Sequence, residues 1–105
     1  MTWRIHPAAQ QEHDDCIEYY AGIDPEIATS FELRYLQALY DICANPFLYN
    51  IRRRGVRRVN LQPRFGEYYI AYTIWREQVV ILAVAHAKRR PYYWRKRLAE
   101  AKKLF

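Results

Sequence analysis

The chain is poor in the residues that small secreted, nucleotide-binding or hydrolytic domains depend on. Two cysteines in 105 residues are too few for the framework of bridges that holds small secreted folds together. Cys16 falls about 9 Å before the Gly22-Ile23 turn and Cys43 about 27 Å beyond it at the helical rise. That separation is out of bridging range, so both read as small core residues. Three glycines, Gly22, Gly55 and Gly66, leave no phosphate-cradling loop. Ser30 is the only serine; it lies in a helical stretch and not in a Gly-x-Ser-x-Gly elbow. No Cys-x-x-Cys or paired-His spacing suggests zinc, and no cofactor is expected. No apolar run approaches the ~20 residues of a membrane span. The opening Met1 to Pro7 lacks the apolar core and cleavage site of a signal peptide. These absences predict a cytoplasmic protein that does not engage a membrane.

What is present suits one globular domain, residues 1–105. Apolar residues make up 51% and charged residues 27%, and a chain of this length buries roughly 65% of its unfolded surface. The charge is unevenly divided. Residues 1–48 carry two cations against eight carboxylates, a net −6, whereas residues 49–105 carry fifteen cations against three carboxylates, a net +12. The second half therefore calls for an anionic partner, nucleic acid or acidic protein, and charge alone does not choose between them.

Thr2 to His6 reads as a short strand, and Pro7 fits the first position of a helix. Ala9, His13, Cys16, Ile17 and Tyr20 then form a stripe of helical period, with Gly22 placed to end it in the left-handed conformation. His13 on that stripe reads as a satisfied boundary histidine. A second helix starts at the N-cap Asp24, with Pro25 and Glu26 in its first turn. It carries Ala28, Phe31, Tyr35, Ala38, Leu39 and Ile42 on one face, and Asn45-Pro46 stops it. The short Gly22-Ile23-Asp24 connection predicts an antiparallel helical hairpin, with the carboxylates mostly on its solvated faces. Ile51 to Gly55 reads as a cationic loop. Val56 to Leu61 reads as a strand and Gln62 to Gly66 as a turn. Tyr68 to Trp75 and Val79 to Ala87 read as two more strands joined by Arg76-Glu77-Gln78. On the first of these, Tyr68 and Tyr72 share the face expected under the helices, with Tyr69 on the other. The predicted fold is α+β, in the order β-α-α-β-β-β, a small antiparallel sheet with the helical hairpin packed on one face. Residues from about 90 to 105 are expected as either a terminal helix or a tail.

Val79 to Arg97 is the most informative stretch. An unbroken apolar run, as in a strand buried on both faces, passes through His86 into Lys88-Arg89-Arg90, Tyr92-Tyr93-Trp94 and Arg95-Lys96-Arg97. Two uses of these residues are open. RNA carries its own nucleophile in the 2′-hydroxyl, so a ribonuclease needs only a base, an acid and cations for the phosphorane charge. Arg64, His86, Arg89 and Tyr93 are the candidates for those tasks, although His86 equally suits a hydrogen-bonded structural place. A binding surface would use Arg57, Arg58, Arg89, Arg90, Tyr92, Trp94, Arg95 and Arg97 as charge and flat contact area. Arg52 to Arg54 suit a partner contact or a solvated loop equally.

The chain also resembles a family. The element order, His6-Pro7-Ala8-Ala9, Tyr19-Tyr20 and the helix ending in Asn45-Pro46 are similar to the RelE/ParE superfamily of toxins. So are Tyr68-Tyr69-Ile70-Ala71-Tyr72 and the pattern running from Ala83-Val84-Ala85-His86 through Arg89-Arg90-Pro91 to Trp94 and Arg97. The resemblance covers residues 3 to about 97. It implies the toxin of a type II toxin–antitoxin pair of the kind tied to plasmid stabilization. Such a toxin is neutralised by a cognate acidic antitoxin in a hetero-oligomer. RelE-like members cleave ribosome-bound mRNA with strand lysines, a strand arginine, a post-strand arginine and a C-terminal tyrosine. Here Arg58 and Asn60 stand for the lysines, Tyr69 for the strand arginine and Ala87 for the post-strand arginine; only Tyr93 matches. That departure favours the ParE-like branch, whose members inhibit DNA gyrase without being enzymes. An mRNA endoribonuclease and a nucleic-acid-binding module are the alternatives.

Overall fold

The computed structural model describes all residues from Met1 to Phe105. The order is β1 (Trp3–Ile5), α1 (Pro7–Ile23), α2 (Pro25–Ala44), β2 (Ile51–Arg53), β3 (Val56–Leu61), β4 (Phe65–Trp75), β5 (Gln78–His86) and α3 (Lys96–Leu104). Five strands form one sheet in the order β1-β5-β4-β3-β2. The α+β class and the helical hairpin on one face agree with the sequence reading. The sheet itself is mixed. β2 to β5 form an antiparallel meander, but β1 runs parallel to β5, with Trp3 opposite Val79 and Ile5 opposite Ile81. Side-chain alternation sets which face a residue takes and is silent on strand direction, so the periodicity did not carry this pairing.

Asp24 makes the helical hairpin by serving two helices. Its extended backbone (φ −162°, ψ 120°) ends α1, its N–H reaching Tyr20 O, while its side chain accepts from Glu26 N at 2.9 Å to start α2. Proline at position 25 confines the preceding residue to that extended region. Gly22 is therefore an ordinary helical residue and not the expected stop. All six expected apolar residues of α2 are buried. Phe31, Tyr35, Ala38, Leu39 and Ile42 pack with Ala9 and Cys16 of α1 onto Val59, Leu61, Ile70, Tyr72, Val79, Ile81 and Val84 of the sheet. Tyr68 joins this core at its edge. The Tyr72 hydroxyl donates to Pro46 O at 2.7 Å, which ties the segment after α2 to the middle of β4.

The expected cationic loop is instead β2 and a tight turn. Arg54 (φ 50°) and Gly55 (φ 78°) are both left-handed, as a two-residue hairpin turn of the strand-matching type requires. Thr73 Oγ1 donates to Gly55 O at 3.1 Å and pins that turn to β4. A second core lies on the far side of the sheet. There Val56, Tyr69, Ala71, Val80, Leu82, Ala83 and Ala85 pack against Trp94 and Ala101. Residues 91–105 thus cover the second face, and the open question of helix or tail resolves as α3. A β-bulge shapes this face: Ala71 pairs with Ala83 and Tyr72 with Ile81, which leaves Leu82 as the extra residue. Leu82 and Ala83 consequently both join the second core.

Candidate partner-binding cleft

Alternation along β3 sends its two arginines to opposite faces. Arg57 shares the helix side with Val59 and Leu61, where its Nη1 donates to Tyr49 O and Phe47 O and its guanidinium lies 5.4 Å from the Phe47 ring centre. Arg58 shares the second face with Val56 and sits 3.8 Å over the Tyr69 ring. The two residues therefore do not form one contact surface; only Arg58 faces the segment after β5.

That segment and the β2–β3 hairpin enclose a cleft on the second face. One part, about 210 Å³, is lined by Arg53, Arg54, Val56, Tyr92, Trp94, Arg95 and Leu98. The adjoining part, about 100 Å³, adds Arg52, Arg58, Tyr69 and Pro91. No carboxylate lines either part. The floor is apolar and rigid. Trp94 is 6% exposed, its Nε1 donates to the Tyr69 hydroxyl at 3.1 Å, and Tyr92 meets it edge-on at 5.6 Å. Tyr92 has a left-handed backbone (φ 58°), which costs a tyrosine of order 1 kcal/mol. The Arg53 guanidinium lies 5.0 Å from its ring centre. Trp94 is therefore not the solvent-facing contact the sequence suggested. It is the pillar that shapes the floor, buried because Val56, Tyr69 and the small residues of β5 leave room for an indole.

The rim is cationic. Arg52, Arg53, Arg54 and Arg95 are exposed, and none of them forms an ion pair within the chain. Arg90 is likewise exposed and without an ion-pair partner. An apolar floor inside a ring of unneutralised guanidiniums fits an acidic segment with aromatic or aliphatic anchors.

The four catalytic candidates are not assembled into one centre. Arg64 Nη1 bonds Ser30 Oγ on α2 at 3.3 Å. His86 Nδ1 accepts from Lys88 N at 3.0 Å, which places the ring hydrogen on Nε2, 3.2 Å from Glu67 Oε2. Its ring is thus engaged at both nitrogens, in the structural role the sequence left open. Arg89 and Tyr93 do meet, the guanidinium 3.6 Å from the ring centre, but both are bound to Glu12. Arg89 Nη1 lies 3.2 Å from Glu12 Oε2, and the Tyr93 hydroxyl donates to the same oxygen. Burial and the hydrogen bond to that carboxylate push the Tyr93 phenol well above the ordinary tyrosine range. Tyr93 is accordingly a proton donor held on Glu12 and is not available as a base near neutrality.

Glu12 is the residue that sequence reasoning missed. It lies between Ala9 and Cys16 on α1, yet reads as one of many hairpin carboxylates. Arg97, expected on a contact surface, is instead 15% exposed at its side chain and paired with Glu12 at 2.7 Å. Its cause is the parallel β1, which stops at Ile5 and leaves the β5 edge open opposite α1. Glu12 fills that edge by accepting from Val84 N at 3.1 Å, and Arg97 fills it by donating to Leu82 O at 3.1 Å. The signal available in sequence was a lone acid on the buried side of an otherwise apolar stripe.

His13, like His86, is satisfied, by Asp14 and Glu32. It borders a larger and more open hollow of about 490 Å³ between α1 and α2, lined also by Asp14, Glu18 and Glu32. No group of side chains in the protein has the arrangement of a metal site, and no helix is long and apolar enough to cross a membrane. No curated relative matches the chain. A family model described as the ParE toxin of the type II toxin–antitoxin system parDE matches residues 3–91. That span carries the helical hairpin, the whole sheet and the cationic β2–β3 edge of the cleft. The chain belongs to the ParE toxin family of type II toxin–antitoxin systems.

Proposed function

We propose that this toxin acts by binding DNA gyrase, and that a cognate acidic antitoxin neutralises it by laying a segment in the cleft between the β2–β3 hairpin and the segment after β5. The observation that carries this reading is the contrast between two groups of cations. Arg89 and Arg97, the arginines nearest the only matching catalytic tyrosine, are paired internally with Glu12. Arg52, Arg53, Arg54 and Arg95 rim an apolar cleft without an ion-pair partner in the chain. The first group is arranged to hold the protein together and the second to meet something else. Residues spent on structure do not supply the base, acid and phosphorane cations of a nuclease.

The direct test is a plasmid supercoiling assay with purified gyrase, alongside mapping of mRNA ends on ribosomes after induction in a bacterium. Supercoiling should fall as toxin is added and recover when antitoxin is added. Normal supercoiling together with codon-dependent mRNA cuts would overturn the reading and establish the nuclease alternative. A nucleic-acid-binding module would instead show affinity for DNA or RNA that falls steeply with salt.

A further inference from the structure

Glu12 is more completely coordinated than any other carboxylate in the protein. Oε1 accepts from Arg97 Nη1 at 2.7 Å and from Val84 N at 3.1 Å. Oε2 accepts from Arg89 Nη1 at 3.2 Å, from Arg97 Nη2 at 3.3 Å and from the Tyr93 hydroxyl. These five contacts, three of them sharing Oε2, saturate the roughly four lone-pair directions that a carboxylate offers. The side chain is 13% exposed, whereas Arg89 is 54% exposed, so the place is reached from solvent on the Arg89 side.

The donors all lie between Val84 and Arg97, on β5, on the segment that follows it and at the start of α3. Val84 points its N–H outward because the bulge at Leu82 shifts the β5 register. Tyr93 and Arg97 arrive on the segment after β5, and Arg89 closes the outer side while stacking on Tyr93. A forked guanidinium, a second guanidinium, a phenol and a backbone N–H converging on two oxygens form the donor set that also holds phosphate. With Glu12 in place the set is satisfied by an anion from the same chain.

We propose that Arg89, Tyr93, Arg97 and the Val84 N–H form an oxyanion cradle whose occupant is the chain's own Glu12, and that this occupancy keeps outside phosphate groups from binding there. The carboxylate enters on a helix fixed to the sheet, so its local concentration exceeds any free anion's. An outside phosphate competes only when Glu12 is removed. Glu12 then determines the ligand specificity of this place, turning a phosphate-class site into an internal joint.

The test compares wild-type protein with Glu12→Ala in chloride, formate and inorganic phosphate at matched ionic strength. Thermal unfolding and titration calorimetry are the two readouts. In Glu12→Ala, formate and phosphate should each raise the unfolding midpoint saturably. Phosphate should bind at least about tenfold more tightly than to wild type, a difference of about 1.4 kcal/mol. Adding Tyr93→Phe to Glu12→Ala should weaken both effects. Equal responses of wild type and Glu12→Ala overturn the proposal, because they mark a general salt effect. Rescue by formate without phosphate overturns the phosphate part. If Glu12→Ala does not fold in chloride, refolding in formate or phosphate supports the cradle; a variant that stays unfolded in all three salts overturns it.

Discussion

Arg97 on the last helix and Glu12 on the first meet at 2.7 Å across 85 positions of sequence, and together they close the edge of β5 that the short β1 leaves open. Arg97 also caps Leu82 O at 3.1 Å, so its loss takes one donor from each oxygen of a nearly buried carboxylate and the side-chain donor from a strand carbonyl. Arg97→Met should therefore destabilise the fold by about 2–3 kcal/mol, below the full cost of breaking a buried pair because Arg89 and Tyr93 still face Glu12. Urea unfolding measures this as a lower midpoint at unchanged slope. A change within about 0.5 kcal/mol, the range of ordinary surface substitutions, would show that the pair does not hold α3.

The β4–β5 turn offers the opposite outcome. Arg76 (φ 52°) and Glu77 (φ 62°) are both left-handed, in a two-residue turn between the paired Trp75 and Gln78. Asparagine followed by glycine takes that conformation at far lower cost. Arg76→Asn with Glu77→Gly should raise stability by about 1 kcal/mol, less whatever the Arg76 guanidinium contributes at 5.3 Å from the Trp75 ring. For a domain of this size that is a rise of about 4–8 °C in Tm, read by calorimetry.

Buried tyrosines set an alkaline limit. Burial pushes Tyr72 up to about 12 and drives Tyr35 and Tyr93 further in the same direction. An unfolded tyrosine titrates near ~10. Between these values the folded state holds protons that the unfolded state has released, so stability falls as pH rises. The contribution of these phenols should be complete below about pH 10 and lost progressively above it. Absorbance at the phenolate band should show exposed tyrosines titrating first and these three only with unfolding. Smooth titration of every tyrosine in folded protein would contradict the burial.

The sequence made the helical hairpin, the α2 core face and the hairpin of β4 and β5 legible, because each rests on local periodicity and a nearby cap or turn. Tyr68 and Tyr72 under the helices followed from alternation alone. What was not legible is carried by pairings distant in sequence. The parallel β1–β5 contact, the burial of Trp94 against Tyr69 and the Glu12 cluster all depend on which edge and which face remain open after the meander forms. Charge counting placed Arg97 with the free cations, since counting does not see that an acid on α1 reaches it. β2 was missed for a simpler reason: three exposed residues, Ile51 to Arg53, carry no burial pattern.

Arg57 and the cleft-rim arginines separate stability from binding. Arg57 donates into carbonyls of the segment after α2 on the helix side, so Arg57→Gln should cost about 1–2 kcal/mol while leaving antitoxin association unchanged. Arg52, Arg54 and Arg95 are exposed and have no ion-pair partner in the chain. Replacing all three by glutamine should leave stability within about 0.5 kcal/mol. Association with an acidic antitoxin should slow about tenfold or more at low salt, and its rate should lose most of its salt dependence, since rim charges act on steering. Stopped-flow mixing at several salt concentrations measures both. If the triple variant associates as fast as wild type while Arg57→Gln slows, the partner lies against the helix side of β3, and the cleft is not where the antitoxin docks.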